Sequence, residues 1–150
     1  MNEIKVKRML LAGLAMFLVW VAVAILVEGV IGRLLFGNVI QERLLETTNL
    51  SDWNASNHLV NISITLLNTT LLIWLYASLR PMFGVGTKTA LITSALAIAL
   101  WLSLFVNLIN LGLLPLQVGS MEAVFVAIEF PIAMLAGAAV YEGAGDKKLF

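Results

Sequence analysis

Four stretches of this chain stay apolar for longer than a soluble core helix requires, and this limits its fold more than any other feature. Residues 10–27, 59–79 and 89–102 contain no charged side chain. Crossing ~30 Å of hydrocarbon takes about 20 helical residues. The sequence supplies spans of that kind near residues 9–35, 59–79, 89–114 and 120–141. Inside a bilayer every backbone N–H and C=O must bond within the protein, which leaves helices or closed barrels, and no alternating strand pattern is present. Gly112, Pro115 and Gly119 divide the last two spans by favouring a turn over one long helix. The expected fold is all-α: a single membrane domain over residues 1–150, a bundle of four transmembrane helices with one longer outer loop at residues 37–58.

Charge adds orientation. Hydrophobic residues make up 61% of the chain and charged ones 12%, so the lipid bilayer is its main partner. Nine basic and nine acidic residues cancel, and no excess points to nucleic acid or to a polycation. The absence of cysteine excludes disulfides, thiolate metal sites and cysteine nucleophiles. Lys5, Lys7, Arg8, Arg80, Lys88, Lys147 and Lys148 fall on one side of the expected membrane, and only Arg33 and Arg43 on the other. The positive-inside rule then places both termini in the cytoplasm. The basic start and the triplet Ala22-Val23-Ala24 imitate a signal peptide. The apolar stretch continues past that triplet to Phe36, interrupted by Glu28 and Arg33, so an uncleaved first helix is expected.

The outer loop carries two glycosylation sequons, Asn49-Leu50-Ser51 and Asn54-Ala55-Ser56, which mean nothing in a bacterial chain. Val39, Ile40, Leu44 and Leu45 have rough helical spacing, and Trp53 suits an interfacial anchor. Trp74 and Tyr76 near the inner end of the second span fit an aromatic belt.

The polar residues inside the spans are the candidate site. An acidic side chain at a helix centre costs roughly 2.5–3.5 kcal/mol, so Glu129 is expected to face the bundle interior, water or a partner. Glu122 lies seven residues away on the same helical face, which also carries the small residues Ala133 and Ala136. Asn61, Thr65 and Asn68 form a stripe on the second span, and Ser103, Asn107 and Asn110 one on the third. The first span contributes Glu28, with Ala24 and Gly32 a turn to either side. A rise of ~1.5 Å per residue puts Glu129 and Asn68 roughly 13–14 Å from the outer end of their spans, and Glu28 and Asn107 roughly 10–11 Å. The expectation is a four-helix polar layer in the outer half, above an apolar inner half. Arg33 either pairs with Glu28 or reaches an acid on a neighbouring helix. Pro131 denies the carbonyl of Ala127 its helical bond and is expected to kink the helix beside Glu129.

Two readings of this layer stand open. The groups hold the helices together, with Glu129 satisfied by Asn68 or Asn107; or Glu129, Glu28, Asn68, Asn107, Asn61, Asn110 and Arg33 form a ligand, ion or proton site. His58, the only histidine, reads as interfacial and cannot supply paired haem ligation. No phosphate loop, nucleophile elbow or metal-ligand spacing is present, so no catalytic residue, metal or cofactor is expected.

From the second span onward the chain carries Trp74-Leu75-Tyr76-Ala77-Ser78-Leu79-Arg80-Pro81-Met82-Phe83-Gly84 and then Lys88-Thr89-Ala90. In these segments, in Glu28-Gly29 and in the acid of the fourth helix it resembles a group of small uncharacterised bacterial membrane proteins. The resemblance implies a four-helix layout in a bacterial inner membrane and carries over no activity or site residue. Read mechanically, Arg80-Pro81 ends the second helix, Gly84 and Gly86 turn the chain, and Lys88 anchors the third. The leading functional expectation is a non-enzymatic accessory or assembly subunit of a larger membrane complex. The alternative is a small proton- or cation-coupled transporter or channel, homo-oligomeric, that uses Glu129.

Overall fold

The computed structural model describes residues 3–32, 34 and 55–143. Helix α1 (Glu3–Ala24) continues as a π-helical segment (Ile25–Gly32). Then follow α2 (Ala55–Phe83), α3 (Thr87–Asn110) and α4 (Leu116–Glu142). All four are long and apolar enough to cross a membrane, and no strand occurs among the described residues. Arg33 and loop residues 37–54 lie outside the described residues, so the pairing expected of Arg33 does too.

Helix α4 is the centre of the bundle. It packs along α1 on one side and α3 on the other, α1 packs on α2, and the seam between α2 and α3 is the sparsest of the four that close the ring. We call the end holding Glu3, Phe83, Thr87 and Glu142 the termini end, and the opposite one the far end. Close approach at the termini end rests on small residues. A Cβ on Gly13 would stand 2.6 Å from Thr70 Oγ1, and one on Gly137 would stand 2.7 Å from Ile73 Cδ1 and 2.9 Å from Met16 Cβ. Ala12, Met16, Ile73, Tyr76, Ala133, Met134 and Ala138 fill the space between them and are all buried.

The turns follow from glycine. Gly84 (φ 89) and Gly86 (φ 116) adopt the left-handed backbone that joins α2 to α3. Arg80-Pro81 does not end α2: the helix continues to Phe83, with Pro81 inside its last turn. A proline there removes a single bond near the helix end, where the carbonyl it leaves is close to water. Between α3 and α4, Gly112 (φ 71) makes the turn and Pro115 stands at the start of α4. Gly119 lies within α4 instead, where a Cβ would meet Ile109 Cδ1 at 2.7 Å; its role is close contact, not a turn. Helix α4 runs through Pro131 as one helix.

A polar clasp fastens the termini end. Tyr76 Oη donates to Glu142 Oε1 at 2.8 Å, and Arg80 Nη2 donates to Glu142 Oε2 at 2.8 Å. The Gly86 N–H donates to Tyr76 Oη at 3.3 Å, and the Arg80 guanidinium lies 5.5 Å from the Tyr141 ring centroid. Tyr76 is therefore no belt residue, because it is fully buried and joins α2, α4 and the α2–α3 turn. Replacing Glu142 with alanine strands the Tyr76 hydroxyl and the Arg80 guanidinium together, and is expected to cost about 2 kcal/mol of bundle stability. Unfolding in a graded sodium dodecyl sulfate series reads this; an unchanged midpoint would show the clasp to be idle.

Candidate functional site

Glu129 stands at the middle of α4, thirteen residues from Leu116 and thirteen from Glu142. It is 1% exposed. Helix α4 starts four residues before residue 120, which puts Glu129 at its middle. Its partner is neither Asn68 nor Asn107. Trp20 Nε1 on α1 donates to Glu129 Oε2 at 2.8 Å, while Oε1 is buried and meets no N–H or hydroxyl donor; the Glu28 carboxyl stands within hydrogen-bonding reach of the Glu129 carboxyl.

Beneath this pair lies an aromatic floor. Phe130, 1% exposed, meets the Trp20 ring edge-on at 4.8 Å between centroids and the Trp101 ring at 6.3 Å. Edge-to-face contacts of this kind hold the rings in fixed relation. They separate Glu129 from the close-packed termini half around Met16, Ile73 and Met134.

Above the floor is a cavity of about 480 Å³ that runs toward the far end. It is lined by Glu28 from the π-helical segment, Glu122 and Glu129 from α4, and Asn61, Thr65 and Asn68 from α2. The three carboxyl groups lie close enough for their charges to interact. Glu28 is exposed at the rim, Glu122 is half-buried and Glu129 forms the base. Among the described residues lining the cavity there is no lysine, arginine or histidine. No group of three His, Cys, Asp or Glu side chains among the described residues stands close enough to chelate a metal ion. The cavity therefore concentrates acceptors in apolar walls, an environment suited to a hydrogen-bond donor or a cation.

The third helix departs from expectation. Ser103, Asn107 and Asn110 are exposed and do not line the cavity; Asn107 Nδ2 donates to the Ser103 carbonyl at 2.8 Å and Ser103 Oγ to that of Ala99 at 2.9 Å. The reason is packing. Helix α3 turns its small residues Ala90, Thr93, Ser94 and Ala97 toward α4, and the same face continues as Trp101, Phe105 and Leu108, which line the cavity. At helical spacing the Ser103–Asn110 stripe falls nearly opposite, so the polar layer spans three helices. Asn107 and Asn110 belong to the last turn of α3.

Sequence reasoning missed Trp20. Its signal is its depth: indoles favour the membrane interface, and one near the middle of an apolar span needs an internal acceptor for its N–H. Glu142 was missed because at the last turn of α4 it resembles any interfacial acid.

The four helices, each long and apolar enough to cross a membrane, and the buried carboxyl at the middle of α4 define a helix bundle with an acidic cavity. No family model, curated protein or solved structure matches the chain.

Proposed function

We propose that this is a non-enzymatic membrane protein whose role is to bind a cationic or hydrogen-bond-donating group in the acidic cavity, as an accessory or assembly subunit of a larger membrane complex. The observation that carries this reading is the unpartnered Oε1 of the buried Glu129 at the cavity base. A buried acceptor without a donor costs about 1–3 kcal/mol, and an incoming donor recovers it. The packed half beneath Phe130 favours one-sided binding over a conducting path, so the transporter reading ranks second.

Butylammonium serves as a test ligand for protein held in phosphatidylcholine nanodiscs. Its addition is expected to shift the tryptophan emission saturably, and Glu129→Gln, which keeps an acceptor for Trp20, is expected to weaken the binding by roughly tenfold. An identical titration in the variant would reject the binding site. The subunit role is tested separately: gentle extraction at endogenous levels that yields only a lone monomer would remove it. Flux of protons or cations in liposomes that Glu129→Gln abolishes would promote the transporter reading instead.

Orientation is part of the same proposal, with both termini on the cytoplasmic face of a bacterial inner membrane. Lys7, Arg8, Arg80 and Lys88 at the termini end support it. A cysteine at position 88 is expected to resist a membrane-impermeant thiol reagent in intact cells, and one at position 54 to react. The reverse pattern would invert the topology.

A further inference from the structure

The acidic cavity adjoins a second space on its α2–α3 side. A groove of about 460 Å³ follows the sparse seam between these helices, and Asn68 and Trp101 line both it and the acidic cavity. Its remaining walls are wholly apolar, among them Leu71, Trp74, Ala97 and Leu100. Leu71 and Trp74 are each 51% exposed and Leu100 is 70% exposed, so the lips of the groove face the surrounding lipid.

The lining and the charge point to the occupant. From Asn68 to Leu75 the groove covers about 10 Å of helix, and its leucine and tryptophan walls suit a hydrocarbon chain. Three carboxyl groups line the adjoining cavity, and the deepest has a buried oxygen that meets no N–H or hydroxyl donor.

We propose that the site holds a single-chain cationic amphiphile, its ammonium or amidinium head at Oε1 of Glu129 and its hydrocarbon chain in the α2–α3 groove. This rests on the binding role of the acidic cavity and adds the class of ligand and its route, which is lateral, from the membrane. The two ends contribute differently. A chain already dissolved in lipid gains only packing on entering the groove, because lipid tails are as apolar as leucine. The head gains a charge-assisted bond in a site of low dielectric, so the carboxyl groups select and the groove orients.

The test uses the full chain in phosphatidylcholine nanodiscs with radiolabelled hexadecylammonium, corrected for partition into empty nanodiscs. Binding is expected to saturate at one ligand per chain, with hexadecanol, which partitions similarly but lacks the charge, at least roughly tenfold weaker. Glu129→Gln is expected to lower hexadecylammonium affinity by about tenfold. Leu71→Trp, at an exposed lip where a larger side chain leaves the fold intact, is expected to lower it similarly while leaving butylammonium binding unchanged. Equal binding of amine and alcohol overturns the proposal. If Leu71→Trp has no effect while butylammonium still depends on Glu129, the groove assignment fails and the cavity reading stands; if neither amine binds, both fail. A transmembrane chain that crosslinks into the groove and excludes the amine also overturns it.

Discussion

Gly137→Val is expected to be the most damaging single substitution in the apolar half of the bundle. A Cβ at this position would stand 2.7 Å from Ile73 Cδ1, 2.9 Å from Met16 Cβ and 3.2 Å from the Ala12 carbonyl oxygen. Ile73 Cδ1 is the far end of a flexible side chain and can move. Met16 Cβ and the Ala12 backbone cannot, so a side chain forces α1 and α4 apart along their main contact. Overpacking of this kind costs typically 1–3 kcal/mol, and a branched residue against backbone is expected to reach about 3 kcal/mol or more. Gly29, whose added Cβ would meet nothing within 4 Å, is the control. Gly29→Ala is expected to leave the unfolding midpoint almost unmoved. Equal midpoints for Gly137→Val and the parent chain in a detergent unfolding series would contradict the close α1–α4 contact.

Trp20→Phe is expected to have the second largest effect, and by a different mechanism. Phenylalanine keeps a ring against Phe130 but removes the Trp20 donor, so that among the described residues neither carboxyl oxygen of the buried Glu129 meets an N–H or hydroxyl. The cost is expected to be about 2–3 kcal/mol, the penalty for a charged or strongly polar group left unsatisfied. Glu129→Leu in the same background removes the stranded group and is expected to recover most of the loss. A double-mutant cycle over these positions therefore predicts a large coupling energy. Additive effects would mean that the 2.8 Å contact does little to hold α1 on α4.

Both results concern the contact of α1 with α4, and they separate two levels at which the chain specifies its structure. The spans were legible because hydrocarbon thickness and backbone hydrogen bonding leave few alternatives for apolar runs of this length. Glu129 as an inward-facing acid was legible for a related reason, since lipid exposure of a carboxyl group is costly. The face of α3 was not. A stripe of serine and asparagine and a stripe of alanine, threonine and serine compete for the interior, and the small residues are the ones that packed against α4. Close van der Waals contact drives helix association in membranes, while an asparagine near a helix end can satisfy itself on its own backbone, as Asn107 does.

The clasp at the termini end illustrates the same limit. Tyr76, Arg80 and Glu142 sit at positions where aromatic and charged side chains are ordinarily interfacial, and nothing in their spacing reveals that Glu142 lies 66 residues along the chain from the Tyr76 hydroxyl it accepts from. The segment from Trp74 to Gly86 gains a shared purpose only when folded: Trp74 borders the groove, Tyr76 and Arg80 hold Glu142, and Gly86 brings its N–H to Tyr76.

By itself the sequence determined the number of spans, the helical form and the presence of a costly acid, because each follows from the free energy of single groups in hydrocarbon. Tertiary structure alone decided that Glu129 is buried against α1, that Trp20 donates to one of its oxygens, and that a groove along the α2–α3 seam adjoins the acidic cavity. Those features depend on which faces meet and how closely. Distant small residues such as Gly13 and Gly137 set them, through contacts that local spacing along one helix does not encode.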